Sequence, residues 1–190
     1  MNNTQNESIR LLRDVDAYMI PSGDEVRLLA GNLVKITQSL GGNYTVLING
    51  NLVQIREENA DALGFEIKED KNPKKKTGTL EQQIWDQLKT CYDPEIPVNI
   101  VELGLIYDLT IKENNDINIK MTLTAPGCGM GPVLTEEVNR KVSGLDDSNN
   151  VDVELVWEPQ WNRDMMSEEA QLELGMLSVS YTHLTLPTNA

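Results

Sequence analysis

One loop concentrates the residue types that do chemistry. Thr124-Ala125-Pro126-Gly127-Cys128-Gly129-Met130-Gly131-Pro132 sets three glycines around a cysteine. Glycines let a backbone turn several N–H groups toward one point. A helix starting at Pro132 would add about half a positive charge at the same point. Both effects favour thiolate over thiol, the form that attacks electrophiles and binds metals. Pro126, Gly127 and Gly129 shape the loop in that reading. The same residues also fit a tight turn in which Cys128 is a small buried filler.

A second group lies upstream. Cys91, Asp93 and Glu95 offer one soft and two hard ligands, should the fold bring them to Cys128. Cys91 equally suits packing beside Tyr92. Asp93 and Glu95 equally suit hydrogen bonding in a turn around Pro94. Two thiols are too few for a four-cysteine iron–sulfur or zinc site within one chain. A cluster here needs carboxylate ligands, a small-molecule thiol, or a homodimer in which each chain contributes two cysteines. A thiol-redox enzyme, with Cys128 as nucleophile and Cys91 resolving it, stays open on these residues. So does an adaptor that uses no cysteine.

The chain has one histidine, His183, in its last stretch. Setting that stretch aside, neither a Ser–His–Asp nor a Cys–His arrangement can be built, and a histidine-rich zinc site cannot either. No glycine-rich nucleotide cradle follows a strand.

The elements that must position these residues read as two units. Residues 1–13 are polar and weakly helical, a loose lead-in. Residues 14–70 carry strand-length apolar runs, at 15–20, 26–29, 33–36, 44–48 and 52–55, divided by Gly, Asn and Pro. That pattern predicts a small all-β unit. Asn49-Gly50 is the sharpest hairpin signal in it. Lys71-Asn72-Pro73-Lys74-Lys75-Lys76-Thr77-Gly78 reads as a basic linker.

Residues 79–176 then predict an α+β domain in the order helix, strand, strand, helix, strand, helix, with a mostly antiparallel sheet. Thr79 and Gln82 form a capping-box pattern. Leu80, Ile84, Trp85 and Leu88 line one helical face. Ile106–Lys112 and the alternating Ile117–Thr124 make a hairpin around Glu113–Asp116. Pro132 suits the first turn of a helix whose apolar face is Leu134, Val138 and Val142. Val151, Val153, Leu155 and Trp157 alternate as a third strand. Ser167-Glu168-Glu169 opens a last helix that Gly175 closes.

Charge is uneven. The 190 residues carry a formal charge of −14. Residues 1–78 hold 11 acids and 10 bases, residues 79–177 hold 19 acids and 6 bases, and 178–190 hold neither. The acidic half repels nucleic-acid phosphate and suits a basic protein or a bound cation. No run approaches the roughly 18 consecutive apolar residues of a membrane helix, and no secretory signal opens the chain. Two cysteines give no disulfide framework, which predicts a cytoplasmic protein with reduced thiols. The uncharged stretch 177–190 ends in SYTHLTLPTNA, which resembles translated sequencing-adaptor read-through, and it is expected to lie outside the fold.

At the cysteine loop the chain becomes recognisable. DPEIPVNIVELGLIY, Asp93 to Tyr107, resembles the signature of the PaaD-like metal–sulfur cluster assembly domain. TLTAPGCGMGP resembles that family's cysteine loop, here with Cys128. WEPQWNRDMMSEEAQLELG, Trp157 to Gly175, resembles its third motif. The preceding β unit, with QSLGGNYTV and NGNLVQI, resembles the extension of SufT-type members. The resemblance implies a non-enzymatic iron–sulfur maturation factor that works with SUF assembly proteins and apo iron–sulfur clients. It implies a transient iron–sulfur cluster or iron as cargo, with Cys128 as thiolate ligand or client contact and Asp93 shaping the same face.

Overall fold

The structure is a computed structural model that describes residues 8–66 and 78–176. The expected linker lies outside the described residues except for Gly78, and the stretch 177–190 lies wholly outside them.

Residues 8–66 form a six-stranded sheet: β1 (Ser8–Arg10), β2 (Val15–Ile20), β3 (Glu25–Leu28), β4 (Leu33–Leu40), β5 (Asn43–Ile48) and β6 (Asn51–Ile55). The order is β1-β4-β5-β6-β2-β3 and every pairing is antiparallel. Alternation decides which side chains enter. Val15 and Ala17 of β2, Val34 and Ile36 of β4, and Val46 and Ile48 of β5 point into one core. Asn49 and Gly50 both take positive φ and turn β5 into β6 with Ile48 opposite Asn51. A 3₁₀ turn, Glu57–Leu63, then buries Ala60, Ala62 and Leu63 and stops at Gly64.

One boundary is corrected. The loose lead-in expected over 1–13 is, in its described part, a strand followed by the buried Leu11. Ser8-Ile9-Arg10 is too short to show a period, and its partner β4 is remote in sequence.

The second unit runs α1 (Leu80–Leu88), β7 (Ile106–Ile111), β8 (Ile117–Met121), α2 (Gly131–Ser143), β9 (Val151–Leu155) and α3 (Glu168–Glu173), with a short 3₁₀ turn, Arg163–Met165, before the last helix. Thr79 Oγ1 accepts from the Gln82 N–H, and Gln82 Oε1 accepts in return from the Thr79 N–H. The sheet is mixed, not mostly antiparallel. β7 pairs antiparallel with β8, and β9 pairs parallel with β8. The helical crossover between β8 and β9 brings the chain back in the same direction, so a parallel pair is what α2 enforces. Ile84 and Leu88 of α1, Ile117, Ile119 and Met121 of β8, and Leu134, Val138 and Val142 of α2 share the core of this unit.

Candidate functional site around Cys128

The cysteine loop spans the gap between the end of β8 and the start of α2. Met130 caps the helix and Pro132 sits in its first turn, where a missing N–H costs nothing. The Cys128 N–H bonds to the Ala125 carbonyl at 3.3 Å, and the Gly131 N–H bonds to the Cys128 carbonyl at 3.1 Å. These two bonds fold the loop over itself and leave Cys128 half-buried.

Asp93 is the hinge of the neighbouring loop. Its Oδ1 accepts from the Glu95 and Ile96 N–H groups at 2.9 and 3.0 Å. This is the geometry of a turn-stabilising carboxylate before a proline. The Asp93 side chain is nearly buried, and desolvation raises its pKa above the ordinary carboxylate value. Downstream segments brace the same loop. The Trp161 Nε1–H donates to the Leu103 carbonyl at 2.8 Å, and the Ser167 N–H to the Glu102 carbonyl at 2.9 Å. The backbone passes so close that a Cβ on Gly104 would lie 2.1 Å from the Met165 oxygen.

The electrostatics of Cys128 differ from the expectation of an activated thiolate. Desolvation pushes its pKa above the ordinary thiol value, and the charges of Asp93 and Glu95 push the same way. The Met130 N–H at the helix start pulls it down, as the loop geometry suggests, and outweighs either charge singly, but desolvation is larger and the net shift is upward. Asp93 and Glu95 are therefore within electrostatic reach of Cys128, and both disfavour its anion.

Cys91 occupies different surroundings. It is 0% exposed in the core, and its thiol lies 3.7 Å from the Gln87 carbonyl oxygen, to which it donates. Burial, with Glu137 adding repulsion, pushes its thiol up to about 12. The charges it feels belong to the C-terminal half of α2, whereas those felt by Cys128 belong to the Asp93 loop. Among the described residues no three Cys, His, Asp or Glu side chains converge as a metal-ligand set.

Residues the sequence reading did not single out complete the surroundings. The β2–β3 turn of the first unit reaches the cysteine loop, and the Pro21 carbonyl oxygen lies 4.0 Å from Cys128 Sγ. Ile20, Met130 and Val133 form a small apolar cluster there, with Tyr18 and Cys128 against it. Further along α2, the Lys141 Nζ donates to the Gly41 carbonyl, the Thr90 carbonyl and Thr90 Oγ1 at 3.1, 2.8 and 3.0 Å. Its three protons are thereby used, so the Glu137 Oε1 at 3.0 Å is held by charge alone. Glu137 Oε2 accepts from Asn43 Nδ2 at 2.8 Å, and Arg56 bonds Glu136. The signal available in the sequence was Glu137 and Lys141 themselves, opposite charges four apart beside the apolar stripe of α2.

Comparison with known proteins bears on this second unit. The iron–sulfur cluster assembly protein family matches residues 81–155, which hold Cys91, Asp93, Glu95 and Cys128. A Porphyromonas gingivalis Fe-S protein maturation auxiliary factor is 47% identical over 97 residues, 51% of this chain and 92% of that protein. The Bacillus subtilis Fe-S protein maturation auxiliary factor YitW is 39% identical over 97 residues, 51% of this chain and 95% of its own length. The Staphylococcus aureus Fe-S protein maturation auxiliary factor SufT is 37% identical over 84 residues, 44% of this chain and 96% of its own length. A crystal structure of a domain of unknown function from Bacillus anthracis, 36% identical, covers 52% of this chain and 93% of that one, with a TM-score of 0.49. The chain belongs to the iron–sulfur cluster assembly protein family. Among the described residues no helix is long and apolar enough to cross a membrane.

Proposed function

We propose that this chain matures iron–sulfur proteins in the cytoplasm, alongside SUF assembly proteins, with Cys128 as the thiol that meets cluster or client. The observation that carries the reading is the half-exposed Cys128 beside Asp93 and Glu95, within the residues the family matches. The cluster is cargo. One thiol cannot hold it alone, so its remaining ligands come from a client, a small thiol or a second copy of this chain. Asp93 acts mainly by holding the loop that faces Cys128, since its Oδ1 is committed to two backbone N–H groups. Burial of Cys91 and its raised pKa favour a packing role over that of ligand or resolving thiol. The role for which the relatives are named, maturation auxiliary factor, supports binding and delivery in place of catalysis.

Cys128→Ser tests the reading in a strain lacking the native protein. The exchange is nearly isosteric, so the fold should survive at a cost of about 1 kcal/mol or less. Serine oxygen is hard and protonated near neutral pH, whereas iron–sulfur chemistry takes thiolate. The expected outcome is normal protein level with deficient activity of iron–sulfur enzymes, per unit of enzyme protein, under iron limitation. Full rescue by Cys128→Ser would move the function to a cysteine-independent adaptor.

A further inference from the structure

Two turns of the β unit touch the cluster-assembly unit at backbone distance, and both do so through glycine. A Cβ on Gly23, in the β2–β3 turn, would lie 2.0 Å from the Gly129 oxygen, and one on Gly129 would lie 1.7 Å from the Ser22 oxygen. Gly129 directly follows Cys128. A Cβ on Gly41, in the β4–β5 turn, would lie 2.1 Å from the Thr90 oxygen. Neither contact tolerates so much as a methyl group without a backbone shift.

Beyond these contacts, the surface between the units is largely polar. Its apolar parts are the small cluster of Ile20, Met130 and Val133 and the β4–β5 turn against Tyr92, where Leu40 lines a cavity with Pro97 and Val98. The rest consists of Arg56 with Glu136, Asn43 with Glu137, and Lys141 with Gly41 and Thr90. It is also imperfect, because the buried Arg56 Nε has no partner. Each unit keeps its own apolar core. Separate cores joined by a small, polar and incompletely satisfied contact describe parts that can come apart without unfolding.

We infer that the β unit is a lid over Cys128, closed in this structure, which must lift for a cluster or client thiol to reach the sulfur. A cluster must come within bonding distance of Sγ with its own bulk around it. The Ile20–Gly23 turn takes up part of that room, with the Pro21 oxygen 4.0 Å from the thiol. Ile20 of the same turn packs with Met130 and Val133, and Cys128 lies against that cluster, so lifting the turn uncovers this side of the thiol. The relatives carry out their named role with a matched segment of 84–97 residues that makes up 92–96% of each. That leaves no room in them for a further unit the size of residues 8–66, so the extension expected of SufT-type members is not found in the matched SufT, and here the lid is an addition to the working domain.

The lid's purpose rests on the proposed role of Cys128, but its existence does not. The test reads thiol access in the free full-length chain, so a failure of the cell experiment above leaves it standing. Two variants loosen the dock from different places. Gly23→Asn puts a side chain against Gly129 while keeping a residue that tolerates positive φ. Arg56→Met with Glu136→Gln removes an ion pair at a separate point on α2. Each is labelled with a bulky maleimide and both cysteines are followed by mass spectrometry. Cys91, buried in the second core, reports whether that unit is intact. The expected result is about a tenfold faster labelling of Cys128 in both variants, as the lifted population grows, with Cys91 as protected as in the parent. An unchanged Cys128 rate in both variants would overturn the lid. So would a Cys91 rate that rises in step, since exposure would then come from unfolding of the domain.

Discussion

Asp93 shows how one side chain carries opposing effects. Its carboxylate organises the loop by accepting two backbone N–H bonds, yet it does so while nearly buried. The raised pKa sets the sign of its pH dependence. As pH rises, the unfolded chain loses this proton first, so the stability contributed by Asp93 is complete at acid pH. It declines between the unfolded and the folded pKa. Asparagine keeps an acceptor for both N–H groups and removes the titration. Asp93→Asn should match or exceed the parent in urea stability at neutral pH, with its advantage vanishing below the ordinary carboxylate range. Asp93→Ala strands both donors and should cost roughly 1 to 2 kcal/mol. The turn around Pro94 was legible in the sequence because Asp before Pro has a local geometry. The raised pKa of Cys128 was not, since it comes first from burial and then from the charges of Asp93 and Glu95, which lie outside the cysteine loop.

The element that ties these residues together is α2. One end starts at the cysteine loop, its apolar stripe enters the core, and Glu136, Glu137 and Lys141 face the β unit. Lys141 joins the end of α1, the β4–β5 turn and Glu137 through a single ammonium group. Lys141→Met leaves the Glu137 carboxylate buried without its cation and should destabilise the protein by about 3 to 5 kcal/mol. Adding Glu137→Gln, which can still accept from Asn43, should restore part of that loss; strictly additive costs in the double-mutant cycle would contradict the pairing. Hydrophobic periodicity located α1, α2 and most strands, because a buried face repeats along its own element. It missed β1, whose three residues show no repeat, and it misjudged the sheet, where the crossover through α2 settles the direction of β9. Buried charges on α2 resemble surface charges in sequence, as nothing local says that a second unit covers them.

For the whole molecule, two cores and a polar contact predict two melting events. Scanning calorimetry should resolve them, and Glu136→Gln supplies the decisive comparison. Glu136 belongs to the second unit and is exposed, yet it bonds Arg56 of the first. The substitution should therefore lower the transition of the β unit while leaving that of the second unit largely in place. A single transition that Glu136→Gln does not move would speak for one cooperative body. The change in texture and the basic run before Gly78 pointed to two units, but nothing in the sequence pointed to a contact between them. Residues such as Arg56, Asn43 and Gly23 have no sequence pattern that points across to α2 or to the cysteine loop before it. Covalent connection gives the contact its last property. Glu66 and Gly78 are twelve residues apart in the chain, so the two units cannot separate there by more than about 40 Å. Covalent connection within that reach keeps a released unit near its partner. Re-docking is then a first-order event, indifferent to how dilute the protein is. A visiting protein that takes the place of the Ile20–Gly23 turn competes with a neighbour that never leaves, so only a partner with substantial affinity, or one present in comparable abundance, gains the thiol.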